Sequence, residues 1–137
     1  MKKQKLTPFL SFTGKAEKAM RFYESILPEA EIIKITRYGK DHPHAAADEE
    51  NNVYHGLLSF MGQELMFLDM PAAYPAPAFS WATSLYIDCC DEAEFDTVFQ
   101  ALSKEGTVMM GPEPVAHLRK CAWITDKFGI TWQPAWE

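Results

Sequence analysis

Glycine-rich phosphate loops are missing from this chain. None of its 7 glycines forms a Gly-x-Gly-x-x-Gly or Gly-x-x-x-x-Gly-Lys-Ser/Thr run, so there is no readable cradle for a dinucleotide or a nucleoside triphosphate. A Gly-x-Ser-x-Gly elbow and a His-Glu-x-x-His pair are also absent, which removes the common serine-hydrolase and zinc-protease signatures. Cysteine is scarce and odd in number: Cys89, Cys90 and Cys121 show no Cys-x-x-Cys spacing. Neither a disulfide framework nor a zinc knuckle is suggested, and the three read as reduced, buried thiols. No run of five basic residues occurs and the net charge is −6, so attraction to a phosphate backbone is opposed by the overall field and nucleic acid is not expected as a partner. Long hydrophobic runs are absent too. Beyond the basic start Met1-Lys2-Lys3-Gln4-Lys5 the apolar stretch is about six residues, too short for a signal-peptide core or a membrane span. A cytoplasmic protein with no membrane partner is expected.

What is present is an ordinary globular composition, 47% apolar and 23% charged over 137 residues, enough for one domain with its own core. The segment 5–12 reads as a strand. Residues 14–27 then switch to helical spacing, with Ala16, Ala19, Met20, Tyr23 and Leu27 on one face before Pro28. The β-branched Ile32, Ile33, Ile35 and Thr36 favour a strand over 30–38. Gly39, Pro43 and several charges break all periodicity over 39–52, where a mobile loop is expected. Residues 53–61 and 63–69 form a hairpin around Gly62, and Pro71, Pro75 and Pro77 mark an extended linker.

The order then repeats. A strand is expected over 79–88, followed by a helix opened by Asp91 and Glu94 in a capping-box spacing. That helix carries Phe95, Val98, Phe99 and Leu102 on one face and closes at Gly106 as a left-handed cap. A short strand over 107–110 leads to a turn at Gly111-Pro112-Glu113-Pro114. A hairpin of 119–125 with 130–135 follows, around Asp126-Lys127-Phe128-Gly129. This is an α+β pattern of two βαβββ modules, 1–75 and 76–137, in one domain, with helices outside and sheets curved about a cup.

Thr7-Pro8-Phe9-Leu10-Ser11-Phe12, Ala19-Met20-Arg21-Phe22-Tyr23 and Thr36-Arg37-Tyr38, with the closing run from Ala122 to Gln133, resemble the PhnB-like branch of the glyoxalase/bleomycin-resistance/dioxygenase (vicinal oxygen chelate) superfamily. The resemblance implies a homodimer and, in catalytic members, a metal held by His, Gln and Glu from four strand positions. Carried over by motif, those positions fall on Pro8, Phe67, Ala82 and Gln133. Three lack a donor atom and one carboxamide is a weak neutral ligand, so no metal and no other cofactor is expected. Family members often carry a demethylubiquinone methyltransferase label, but the turn Phe12-Thr13-Gly14-Lys15 lacks the glycine-rich character of a nucleotide-fold methyltransferase.

Against that background the expected function is metal-free binding of a small-molecule ligand in the cup. The alternatives are a divergent lyase, isomerase or dioxygenase using Gln133 and Asp69 for polarisation and proton transfer, and a structural or regulatory dimer without a ligand. Gln133, Phe67, Tyr54, Trp123 and Asp69 are the candidate ligand-binding residues. Gln133 either orients a ligand or ties neighbouring strands, and its place on the cup face favours the ligand role. Tyr54 and Tyr38 flank the long loop, and either cover the cup or lie exposed on its rim. Trp81 and Trp136 read as packing residues and Trp132 as core, pointing to the helices. His42 and His44, two residues apart in a charged loop, read as solvated, and His55 and His117 as isolated from other ligands.

Overall fold

The computed structural model of the protein describes residues 6–137; the expected first-strand residue Lys5 lies outside them. The chain divides after Pro77 into two compact units. The first contains β1 (Phe9–Phe12), α1 (Ala16–Ile26), β2 (Ala30–Arg37), β3 (Val53–Phe60) and β4 (Gln63–Asp69). The second contains β5 (Leu85–Cys89), α2 (Glu92–Ser103), β6 (Thr107–Val115), β7 (Leu118–Thr125) and β8 (Thr131–Trp136). Each unit is a four-stranded mixed sheet, β1-β4-β3-β2 and β5-β8-β7-β6. In each the first strand pairs in parallel with the last and the other pairings are antiparallel. The α+β architecture of two βαβββ modules is therefore present.

In the first unit Ala16, Ala19, Met20 and Tyr23 are the buried face of α1. Their spacing lays one stripe on the sheet, where Tyr23 meets Phe67 at 6.1 Å between ring centroids and Phe67 stacks on Phe12 at 6.0 Å. Lys15, at the N-cap, offers α1 no side-chain cap. Asp69, the last residue of β4, supplies it instead: Oδ1 accepts the Ala16 N–H at 2.9 Å and Oδ2 the Val53 N–H at 2.9 Å. The β3–β4 reversal uses Met61 (φ 49°) and Gly62 (φ 85°), a two-residue turn whose twist matches the strands.

In the second unit Phe95, Val98 and Leu102 are the buried residues of α2. Asp91 caps it by accepting the Glu94 N–H at 2.8 Å, while the Glu94 carboxylate reaches the N–H of Cys90 at 3.2 Å, one residue earlier than a capping box requires. Trp132 is buried, and its Nε1–H donates to Asp126 Oδ2 at 2.8 Å. Asp126 Oδ1 accepts the N–H groups of Phe128 at 2.8 Å and Ile130 at 3.1 Å, so one carboxylate shapes the hairpin and anchors the indole.

Several local expectations are corrected. The strand expected from residue 79 begins at Leu85, because Ser80 draws the preceding residues into a turn, accepting the Ala82 N–H on its Oγ at 3.2 Å. Gly111–Val115 continues β6, an edge strand that tolerates its two prolines, and the reversal falls after Val115, at Ala116 (φ 51°). Glu105 (φ 62°), not Gly106, takes the left-handed conformation after α2. Gly106 is needed for close approach, since a Cβ there would lie 2.5 Å from the Thr125 carbonyl oxygen. Cys90 is exposed and lies 3.2 Å from Glu94 Oε2, whereas Cys89 and Cys121 are buried.

Candidate functional site

The non-periodic segment between β2 and β3 builds a recess on the first unit. The ladder continues past the strand ends through Tyr38 N–H to Asn52 O at 3.1 Å and Gly39 N–H to Glu50 O at 2.8 Å. A 3-10 turn at Ala47–Glu49 follows. Glu49 pins both ends of the fold-back: Oε1 accepts the Ala46 N–H and Oε2 the Ala72 N–H, each at 2.8 Å. These bonds hold the Glu49 carboxyl below its ordinary range, and they fix the loop to the chain that leaves β4.

Within that frame the His42 ring packs against Tyr38 and Tyr54, with centroids 4.8 and 5.2 Å away, and Tyr38 meets Tyr54 at 5.2 Å. His42 Nδ1 accepts the His44 N–H at 3.2 Å, so a neutral His42 carries its proton on Nε2. The Tyr38 hydroxyl donates to the Asp69 carbonyl at 2.6 Å. Burial first, and then the charges of Asp69 and Glu49, push the Tyr38 phenol up. The result is a recess of about 450 Å³ walled by the rings of Tyr38, His42, His44, Tyr54 and Tyr74. Met70, Pro71 and Pro43 complete its lining, which includes no Lys or Arg among the described residues.

Of the residues expected to bind a ligand, only Tyr54 lines this recess. Phe67 is buried against α1, stacked on Phe12 and tilted against Tyr23. Alternation along β4 puts Met66 and Leu68 on its other face. Asp69 is 2% exposed with both carboxylate oxygens engaged by backbone N–H groups. Gln133 and Trp123 are brought together in the second unit: Trp123 Nε1–H donates to Gln133 Oε1 at 2.7 Å, and Gln133 Nε2 donates to Cys121 Sγ at 3.4 Å. The carboxamide ties β8 to β7. Trp81 is exposed at 6.2 Å from the Trp123 ring, and Arg119 lies over Trp136 at 5.1 Å.

The four transferred metal positions do not suit a metal. Pro8 precedes β1 with its carbonyl accepting the Met66 N–H, Phe67 is core, Ala82 lies in the turn before β5, and Gln133 is bonded to Trp123. No three of His, Cys, Asp and Glu converge as a metal-ligand group among the described residues. His42, His44, Met70, Pro71 and Tyr74 line the recess but are not among the residues expected to bind a ligand. His42 is half-buried beside two tyrosines, and His44 is exposed as expected. The usable signal was Ala46-Ala47-Asp48-Glu49, whose spacing allows the carboxylate to reach back to the Ala46 N–H and close the loop.

Residues 4–134 match the protein family described as 3-demethylubiquinone-9 3-methyltransferase. The chain belongs to that family. A solved structure of the family from Bacillus cereus, described as a putative 3-demethylubiquinone-9 3-methyltransferase, PhnB protein, is 38% identical with a TM-score of 0.84, covering 98% of this chain and 100% of that one. Protein YjdN of Escherichia coli (strain K12) is 26% identical over 139 residues, 93% of this chain and 91% of its own length. A glyoxylase/bleomycin resistance protein/dioxygenase domain from Frankia sp. EAN1pec shares 11% identity over 97% of this chain and 96% of its own, with a TM-score of 0.66. At that identity the likeness is one of fold, and it joins this family to the glyoxalase-like fold.

Proposed function

We propose that this PhnB-like chain is a metal-free small-molecule-binding protein and that its ligand enters the ring-lined recess of the first unit. The observation that carries the reading is the packing of Tyr38, His42 and Tyr54 around about 450 Å³ of space. That volume falls within the range of small-molecule sites, which are apolar hollows with a few placed polar groups. The ligand would meet ring faces, the Met70 thioether and polar ring atoms. Binding without a metal is supported by the donor chemistry of Pro8, Phe67, Ala82 and Gln133, three of which offer none.

The methyltransferase activity in the family's description is not the reading we favour. Nucleotide-binding folds present a free helix N-terminus after a parallel strand to the cofactor. Here the first turn of α1 is capped by the protein's own Asp69. We further propose that two copies pair, because β2 and β6 are edge strands carrying exposed Ile33 on one and Val108, Met109 and Val115 on the other.

The ligand reading is tested by melting chelator-treated protein in the presence of a panel of small molecules. A ligand that prefers the folded chain raises the melting temperature. The expected result is a rise with at least one compound class that disappears in Tyr54→Ala, with no effect of the chelator itself. Binding that occurs only after a divalent metal is added would overturn the reading.

A further inference from the structure

The recess faces a choice between two kinds of ligand, and its ring geometry discriminates between them. A flat aromatic compound is best held in a slot between parallel rings, whereas a compact rounded cation is best held by rings that meet at steep angles and turn several faces toward one point. The rings here are steep: Tyr38 to His42 is 84°, Tyr38 to Tyr54 is 68°, and His42 to Tyr54 is 51°. Even His42 and His44, at 56°, are far from parallel.

The charge around the recess points the same way. Its lining contains no Lys or Arg among the described residues, and the loop that builds it carries Asp41, Asp48, Glu49 and Glu50 against the single Lys40. The Tyr38 phenol is pushed up by burial and then by the negative charges of Asp69 and Glu49, so acidic groups border the recess wall. A quadrupole-rich wall bordered by acidic groups attracts a weakly hydrated organic cation and gives nothing comparable to an anion.

We propose, building on the ligand reading above, that the recess is an aromatic cage for a quaternary or methylated ammonium group, with Tyr38, Tyr54 and His42 as its contacting faces. The Tyr54 side chain is half exposed, so it can be replaced without emptying the core.

The test is a calorimetric and NMR titration of the full chain with choline and with 3,3-dimethylbutan-1-ol, which has the same shape without the charge. Choline is expected to bind about tenfold or more tightly than the alcohol and to move the ring resonances of Tyr38, Tyr54 and His42. Tyr54→Phe, which keeps the ring face, should retain that affinity, and Tyr54→Leu should lose most of it. Equal affinity for the two compounds, or unchanged choline binding in Tyr54→Leu, overturns the cation assignment. A flat neutral compound that binds and is lost in Tyr54→Leu, while choline fails, also overturns it but leaves the ligand reading standing. Binding of neither class overturns both.

Discussion

At the scale of single residues, two expected ligand contacts, Asp69 and Gln133, make hydrogen bonds that join neighbouring elements. Asp69 accepts buried backbone N–H groups from the first turn of α1 and the start of β3. Asp69→Ala strands both donors, and each unsatisfied buried group costs about 1–3 kcal/mol. A loss of about 2–4 kcal/mol in urea unfolding is expected, with Asp69→Asn intermediate because it keeps one carbonyl acceptor; an unchanged midpoint in Asp69→Ala would refute the joining role. Gln133 holds Trp123 across β7 and β8. Gln133→Leu should therefore lower stability by about 1 kcal/mol and alter tryptophan fluorescence, while ligand affinity at the recess stays as it was. Loss of ligand binding with unchanged stability would return Gln133 to the ligand role that its face suggested. That face was legible, since alternation from Trp132 fixes it, but the partner directly across the sheet was not.

At the scale of elements, what could be read was what local chemistry controls. The helix stripes, the Asp91 cap, the Met61-Gly62 turn and the Asp126 hairpin all follow from residues within a few positions of one another. Phe67 shows where that stops. Both alternating sets of β4, Leu65 with Phe67 and Met66 with Leu68, are apolar, so a period of two locates a strand without saying which set faces the helix. The recess was less legible still, because its closure depends on Glu49 reaching Ala72, 23 residues away. That contact gives a pH prediction. The folded carboxyl of Glu49 titrates below its ordinary range, so its stabilisation is fully present above the unfolded value of about 4.3. It is lost as pH falls through the lower folded value. The protection of the Ala46 and Ala72 amides, measured relative to intrinsic exchange, should fall across that window, and in Glu49→Ala it should be low already at neutral pH without the acid step. Protection independent of pH in the unaltered protein would show that Glu49 does not hold the loop.

At the scale of the whole molecule, the repeated strand-helix-three-strand order was readable because each module supplies its own punctuation, and family membership follows from nearly the full length. No helix among the described residues is long and apolar enough to cross a membrane. Pairing of two copies is the expectation at this scale. Light scattering at micromolar concentration should return about twice the chain mass of 15.6 kDa, and Ile33→Lys with Val108→Lys should shift it toward one chain by charging the exposed edges. A mass of one chain in the unaltered protein would refute the pairing.

Central to the proposed function is that a small molecule binds in the first unit without a metal. The most direct measurement is a crystal structure of chelator-treated protein with a compound that raises its melting temperature. Density for the compound is expected against the rings of Tyr38, His42 and Tyr54, with no metal between ligand and protein. Density elsewhere with this recess empty, or a ligand reached through a bound divalent ion, would contradict it.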